Sequence, residues 1–232
     1  VKDVNIYAIH NESADKTFKG TITLPSAAEL IVYNGLNDTY ETIAQKPADG
    51  KIQIALELAP AESIYLVENK GQECVCEHRS FNEQLNGLAG YDISDNWDVS
   101  SVRSIDYPAF SAADHEEKLE AFSVKNPVFS GIIKYSKEII IDNQPEAAFI
   151  KAGNVYEVMT VYVNGEEAGY RLNPPYQVDI SKQIREGKNL IEIEVATTPA
   201  REQSTLPQPP FDFGYEAMEA TGMFGKITVF TK

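Results

Sequence analysis

The chain has 232 residues, of which 43% are apolar, so it is long enough for one large or two modest domains with a buried core. Its 35 acidic and 20 basic residues give a formal net charge of −15, which repels phosphate backbones and anionic membrane surfaces. The sequence therefore predicts no nucleic-acid partner. It also lacks an apolar run of the roughly 18 residues that a membrane span needs.

Residues 4–69 form a series of short apolar and polar alternations separated by turn signals. The turn signals include Asn34-Gly35, Asn37-Asp38 and Pro60. Strands at this spacing, without a helical period, predict a small β-sandwich over residues 1–70. The predicted strands are residues 5–11, 16–24, 29–33, 40–44, 51–58 and 63–68.

The next segment, residues 71–88, is polar and has no clear hydrophobic period, so we predict a linker. It contains Cys74 and Cys76. In an extended chain both thiols share a face but lie too far apart to bridge easily. Two ligands alone also cannot make a closed tetrahedral zinc site.

Residues 89–232 are predicted to form a second β domain. Its first strand, residues 90–102, carries Trp97, the only tryptophan, for which we predict a buried packing role. Residues 111–122 are predicted to be a surface helix, because Ser111 and Asp114 have the spacing of a capping box. Further strands are predicted at residues 129–135, 137–141, 147–150 and 226–230.

The central block of this domain, residues 151–197, contains the clearest local signal. Asn164-Gly165 can place two consecutive residues at positive φ, so it predicts a tight hairpin. Near the end of the block, Glu192 and Glu194 alternate with apolar neighbours, as in a half-buried antiparallel strand. Both units are thus predicted to be all-β.

The sequence predicts no catalytic residue of its own. Cleavage of a glycosidic bond requires two carboxylates that flank a pocket. Glu192 and Glu194 point the same way from one strand, but a solvated face explains them. No Gly-x-Ser-x-Gly elbow or phosphate-binding glycine loop occurs.

No cofactor is predicted either. The three histidines lack the spacing of zinc ligands. Asp92, Asp95 and Asp98 form an acidic repeat around Trp97, so a calcium ion there is the alternative to ordinary solvated side chains.

Several stretches resemble parts of glycoside hydrolases. FSGIIKY (residues 129–135), VYVNG (161–165), PYQVDIS (175–181) and EGKNLIEIEV (186–195) resemble the galactose-binding-like jelly roll, the sugar-binding domain of family 2 glycoside hydrolases. They also resemble the module at the carboxyl end of family 106 α-L-rhamnosidases. VNIYAIHNES (4–13), LIVYNGLNDTYE (30–41) and LELAPAESIYLVE (56–68) are similar to the β-sandwich that follows the catalytic barrel in those enzymes.

The resemblance implies a small β-sandwich followed by a galactose-binding-like jelly roll. It also implies that the catalytic carboxylates lie in a barrel domain of the parent chain, before Val1. The absence of an initiating Met agrees with a piece of a longer protein. An extracellular or periplasmic location and a carbohydrate partner follow from the resemblance alone.

Sugars present hydroxyl edges and C–H faces, and proteins hold them with planar polar groups beside aromatic rings. Tyr170, Arg171 and Asn173 supply these chemistries in one stretch. Arg201 follows the last strand of the central block, and Tyr215 lies in the proline-rich segment 199–221. These residues are our predicted carbohydrate site, although Arg201 could instead pair with an acid, and Phe211, Phe213 and Tyr215 could anchor the loop to the core.

We therefore predict a non-catalytic carbohydrate-binding or accessory region of a multidomain glycoside hydrolase. A purely structural or protein-interaction module without sugar affinity is the alternative. A third hypothesis is an intact enzyme that uses a carboxylate pair within residues 199–221.

Overall fold

The computed structural model describes residues 4–207 and 219–232. The chain divides into two compact units, unit 1 ending at Asn86 and unit 2 beginning at Gly87. Both are built from β-sheets, which confirms the predicted all-β sandwich class. Within the described ranges, none of the helices has the length and apolar character required to cross a membrane.

From residue 4 onward, unit 1 consists of short strands and one helical turn. Their bounds are β1 (Ile6–His10), β2 (Phe18–Leu24), β3 (Leu30–Asn34), β4 (Thr39–Thr42), β5 (Gln45–Ala48), β6 (Lys51–Leu58), β7 (Ser63–Glu68), β8 (Cys74–Glu77) and α1 (Phe81–Gln84).

Unit 1 has two sheets that enclose an apolar core. The five-stranded sheet has the order β1-β7-β3-β4-β8, and the three-stranded sheet has the order β2-β6-β5. Alternate residues of β6 are buried, as a strand with one face on a core requires. The core residues are Leu30, Val32, Ile52, Ile54, Leu56, Leu58, Ile64 and Leu66.

Residues 71–88 differ from the predicted linker. β8 pairs in parallel with β4, and Ser80 and Glu83 form a capping box at the start of α1. Most of this segment is therefore part of unit 1. Cys74 and Cys76 are both free thiols on β8.

A half-buried contact between His78 and Glu41 joins β4 to the end of β8. The His78 ring lies 2.8 Å from Glu41 Oε2, and the Asn34 amide donates to Glu41 Oε1 at 3.1 Å. The hydrogen bond from His78 is the main cause that lowers the pKa of Glu41 below its usual value of 4.5. The Glu41 carboxylate thus stabilises the folded state above its unfolded pKa, and this contribution is lost as pH falls through its folded pKa.

We expect Glu41→Gln to lower the free energy of unfolding by about 1–2 kcal/mol at pH 7, because a charge-assisted hydrogen bond is lost. The variant should also show a shallower loss of stability below pH 4.5 than the parent chain. Thermal unfolding at a series of pH values measures both effects. Glu77→Gln, which removes an exposed carboxylate on β8, is the control and should change the free energy of unfolding at pH 7 by less than about 0.5 kcal/mol.

In its described residues, 87–207 and 219–232, unit 2 contains the remaining strands, two helical turns and a 3-10 turn at Ser104–Asp106. Their bounds are β9 (Ala89–Asp92), β10 (Asp95–Val102), β11 (Asp114–Lys118), α2 (Phe122–Lys125), β12 (Ile132–Ile141), β13 (Ala148–Tyr156), β14 (Val158–Val163), β15 (Glu166–Arg171), β16 (Gln177–Asp179), β17 (Gly187–Ala196), α3 (Ala200–Gln203) and β18 (Gly222–Thr231).

Unit 2 is a larger sandwich. A six-stranded sheet has the order β11-β10-β12-β17-β14-β15, and a four-stranded sheet has the order β16-β13-β18-β9. Residues from both sheets form one apolar cluster. Trp97 lies in this cluster, fully buried, and its indole Nε1 donates to the Ile93 carbonyl at 2.7 Å, so its predicted packing role is confirmed.

The predicted hairpin is confirmed. Asn164 and Gly165 have φ values of 56° and 82°, and they join β14 to β15 in antiparallel register. Two positive φ values in succession are what a type I′ turn requires, which explains why this dipeptide occurs here.

The predicted helix at residues 111–122 is wrong. Its centre is strand β11, which pairs with β10 at the edge of the six-stranded sheet. The charged residues of β11 suit an edge strand exposed to water, and the pairing with β10 outweighs the local capping signal. Helical structure begins only at α2.

The two strands predicted at residues 129–135 and 137–141 are one continuous strand, β12. Ser136, placed at the supposed break, pairs with Asp98 on one side and Glu192 on the other. Pairing on both sides explains why β12 continues through this polar residue.

Candidate functional site

One end of unit 2 collects the segments that carry the predicted ligand residues. Arg171 ends β15 and pairs with Met159 near the start of β14, which in turn pairs with Val195 near the end of β17. Val195 also pairs with Ile133 at the start of β12. We call this edge, with residues 126–131, 156–158, 171–176, 196–207 and 219–222, the loop end.

Tyr170 and Arg171 are neighbours in sequence but lie on opposite faces of β15. Arg171 is in register with Met159, which is fully buried in the core, whereas Tyr170 is in register with Thr160. Arg171 Nε donates to the Pro175 carbonyl at 3.1 Å and so holds the following turn. Asn173 is exposed in that turn. The loop end therefore receives Arg171 and Asn173, and Tyr170 belongs to the outer face of the sheet.

Arg201 lies on α3 and contacts backbone carbonyl groups. Its Nη1 donates to the Pro127 carbonyl at 3.2 Å, and its Nη2 donates to the Glu219 carbonyl. The acid next to it, Glu202, pairs with Arg103 at 2.5 Å. The guanidinium of Arg201 thus fastens two segments of the loop end.

Arg171 and Arg201 both lie at the loop end of unit 2, but they are not close neighbours. Arg201 contacts the segment that leads into β12, and β17 and β14 separate β12 from β15. Three strand spacings correspond to roughly 14 Å. The predicted Tyr215, together with Phe211 and Phe213, lies outside the described residues.

A cluster of phenol and carboxyl groups occupies the same end. Burial is the main cause that raises the pKa of Tyr156 to about 12, and a hydrogen bond with Glu157 and the charge of Glu219 add to it. Burial also raises the pKa of Tyr176, with a contribution from the charge of Glu157. Both phenols are protonated at neutral pH, so they are hydrogen-bond donors beside two carboxylates.

Sequence reasoning missed this cluster. Tyr156 ends β13 and Glu157 follows it, Tyr176 precedes β16, and Glu219 precedes β18. Only the sheet topology brings these residues together. Tyr176 lies in the PYQVDIS stretch, which the sequence analysis singled out, but nothing in that stretch indicates which residues lie next to Tyr176 in the fold.

The outer face of the six-stranded sheet also differs from expectation. Glu192 and Glu194 do lie opposite the apolar face, but they are half-buried rather than fully solvated. Tyr107 donates its hydroxyl to Glu194 Oε2 at 3.2 Å, and Lys134 lies 3.6 Å from Glu192 Oε1. Burial is the main cause that raises the pKa of Glu194.

Two members of the acidic repeat near Trp97, Asp92 and Asp98, contact protein groups. Asp92 accepts from the Ser94 backbone and hydroxyl, and Asp98 lies 2.9 Å from the His115 ring. Across residues 4–207 and 219–232, no group of three or more His, Cys, Asp or Glu side chains is placed to hold a metal ion.

Known proteins resemble this chain in structure. A scan of protein-family models and a search of curated proteins give no match. Among solved structures, the chain is similar to the rhamnosidase from Novosphingobium sp. PP1Y, with 21% identity and a TM-score of 0.71. That likeness covers 98% of this chain and 23% of the rhamnosidase.

Two β-glucuronidases are similar over 63% of this chain. The one from Faecalibacterium prausnitzii has 13% identity, a TM-score of 0.48 and 32% of its own chain covered. The one from Dictyoglomus thermophilum has 17% identity, a TM-score of 0.47 and 28% covered. The chain spans less than a quarter of the rhamnosidase, and it has the all-β fold of that segment.

Proposed function

We propose that this chain is a non-catalytic, carbohydrate-binding accessory region of a multidomain glycoside hydrolase of the α-L-rhamnosidase type. The observation that carries the proposal is the likeness that covers 98% of this chain but only 23% of the rhamnosidase. In this proposal unit 2 is a galactose-binding-like jelly roll, and a catalytic barrel elsewhere in the parent chain is its partner. Secretion to the periplasm or the exterior is part of the same proposal.

The residues at the loop end of unit 2 are the second reason for proposing a carbohydrate ligand. The loop end combines the half-buried, protonated phenol of Tyr156, the carboxylates of Glu157 and Glu219, and the exposed amide of Asn173. Groups that donate and accept hydrogen bonds within one region suit a ligand rich in hydroxyl groups. Loops carried by a rigid sandwich are also where binding residues commonly lie.

One observation favours a purely structural module as the second candidate. Arg171 and Arg201 both bond to backbone carbonyls, so each has a structural task at the loop end. In this alternative the phenol and carboxyl groups fasten segments of unit 2, and the chain has no sugar affinity.

Calorimetric titration of the full chain with methyl α-L-rhamnoside and with neutral oligosaccharides tests the proposal. We expect saturable binding, and we expect Asn173→Ala to weaken it about tenfold because the lost amide hydrogen bonds are worth roughly 1.4 kcal/mol. Arg171→Ala should weaken binding as well, with a far-UV circular dichroism check that the fold is kept.

A parallel assay with p-nitrophenyl α-L-rhamnoside separates binding from catalysis. The proposal predicts no turnover by this chain alone. Saturable binding without turnover supports it, while turnover would establish the intact-enzyme hypothesis. The absence of any binding across the panel would favour the structural module.

A further inference from the structure

The outer face of the six-stranded sheet carries two rows of polar and aromatic side chains. Strand alternation places them opposite the fully buried Ile133, Met159 and Ile193. Hydrogen-bonded register defines each row across β12, β17, β14 and β15. The first row is Lys134, Glu194, Thr160 and Tyr170, and the second is Ser136, Glu192, Tyr162 and Glu167.

The segment of residues 104–110, which we call the cover segment, lies against one half of this face. Besides the bond from Tyr107 to Glu194, Lys134 Nζ lies 4.5 Å from the centroid of the Phe110 ring. The Tyr107 and Phe110 rings contact each other edge to face at 5.9 Å. The cover segment therefore forms an aromatic wall above β12 and β17, beside the outer surface of β14 and β15.

Glu194 and Tyr162, on the sheet surface next to the cover segment, are both half-buried. Burial raises the pKa of Glu194, and burial together with the negative charge of Glu194 raises the pKa of Tyr162. A carboxylate and a protonated phenol thus lie near each other in a region of reduced solvent access. Hydrogen bonds to a ligand are stronger in such a region than in open water.

We infer that the outer face between Tyr107 and Tyr170 is a binding site for a neutral saccharide, with Glu194 as an acceptor for its hydroxyl groups. Tyr107 and Tyr170 are 46% and 39% exposed, so part of each side chain faces the solvent, where the C–H face of a sugar can pack against an aromatic ring. The two strand spacings from β17 to β15 give a floor about 10 Å wide.

The charges of the site select against anionic sugars. The two rows place Lys134 with the three carboxylates of Glu167, Glu192 and Glu194, so the site is negative. The whole chain carries a net charge of −15, which adds to the repulsion. A uronic acid or a phosphorylated sugar is therefore repelled, whereas a neutral saccharide is not repelled.

This inference deepens the proposed function and rests on it, but it uses residues distinct from Asn173 and the rest of the loop end. Calorimetric titration of the full chain with methyl α-L-rhamnoside, cellotriose and sodium glucuronate tests it. We expect a neutral sugar to bind and glucuronate to bind at least tenfold more weakly.

Two variants assign the site. Tyr170→Ala and Glu194→Gln should each weaken neutral-sugar binding about tenfold, through the loss of a ring contact and of a charge-assisted hydrogen bond. Glu194→Gln keeps the shape of the side chain and an acceptor for Tyr107. Tyr91→Ala is the matched control, because Tyr91 is a 54% exposed strand tyrosine on β9 in the other sheet, and it should leave the affinity unchanged.

The outcomes separate this inference from the proposed function. Binding that persists in both variants but is lost in Asn173→Ala would overturn the outer-face site and leave the carbohydrate-binding role intact. Tighter binding of glucuronate than of neutral sugars would also overturn the inference. No binding of any probe by the parent chain would overturn both. Unchanged circular dichroism spectra and unfolding midpoints exclude loss of fold as the cause.

Discussion

Replacement of Ile193 by alanine is expected to lower the free energy of unfolding of unit 2 by about 2–5 kcal/mol. Ile193 is fully buried in the middle of β17, where it is in register with Tyr135 on β12 and Val161 on β14. The shortened side chain removes apolar contacts and leaves a cavity between two flanking strands that cannot close it.

Urea unfolding followed by tryptophan fluorescence measures this effect, because Trp97 is the only tryptophan and lies in the core of unit 2. Leu190→Ala on the same strand is the control, since Leu190 is 37% exposed and should cost less than about 1 kcal/mol. Equal losses in the two variants would contradict the assignment of inner and outer faces on β17.

Replacement of Asn189 by alanine should lower the free energy of unfolding of unit 2 by about 3 kcal/mol, since several buried polar groups lose their partners. The Asn189 side chain is almost fully buried. Its Oδ1 accepts from Arg185 N and from Asn164 Nδ2, each at 2.9 Å. Its Nδ2 donates to the Arg185 and Gly187 carbonyls at 2.6 and 3.1 Å.

The link between Asn189 and Asn164 connects this turn to the β14–β15 hairpin, so the variant should also raise hydrogen exchange at Leu190, whose backbone N–H donates to Asn164 Oδ1 at 3.1 Å. Lys188→Ala is the control, because it removes only an exposed ion pair with Glu138. A loss in Asn189→Ala no larger than in this control would show that the network does not stabilise the fold.

Local sequence patterns were sufficient to predict the structure where the residue types allow few backbone conformations. Asn164-Gly165 predicted the hairpin because few other dipeptides adopt two positive φ values. The alternation of apolar residues with Glu192 and Glu194 predicted the buried face of β17, because successive side chains of a strand point to opposite faces.

Sequence reasoning failed where tertiary pairing decides. β11 has a helix-like start at Ser111, yet it pairs with β10 along the sheet edge. β5 contains Pro47 and was not predicted, but an edge position tolerates a residue without an N–H. The half-burial of Glu194 depends on Tyr107, a residue 87 positions away, so no local pattern indicates it.

In the candidate site, too, local features could be predicted from the sequence and tertiary contacts could not. The sequence shows which hydrogen-bonding and aromatic groups Tyr170, Arg171 and Asn173 supply. It does not show on which face of the sheet each side chain lies, because that depends on the register of β15 with β14. The partners of Arg201 and the neighbours of Tyr156 come from segments far apart in the sequence.

Nuclear magnetic resonance of the ¹⁵N-labelled chain during addition of methyl α-L-rhamnoside and cellotriose tests the central claim most directly, because it detects binding to the protein and cleavage of the sugar in one sample. We predict chemical-shift changes confined to unit 2, at the loop end and around Tyr162, Tyr170 and Glu194, with the sugar signals intact. Signals of hydrolysed sugar, or unchanged protein spectra at saturating sugar, would contradict it.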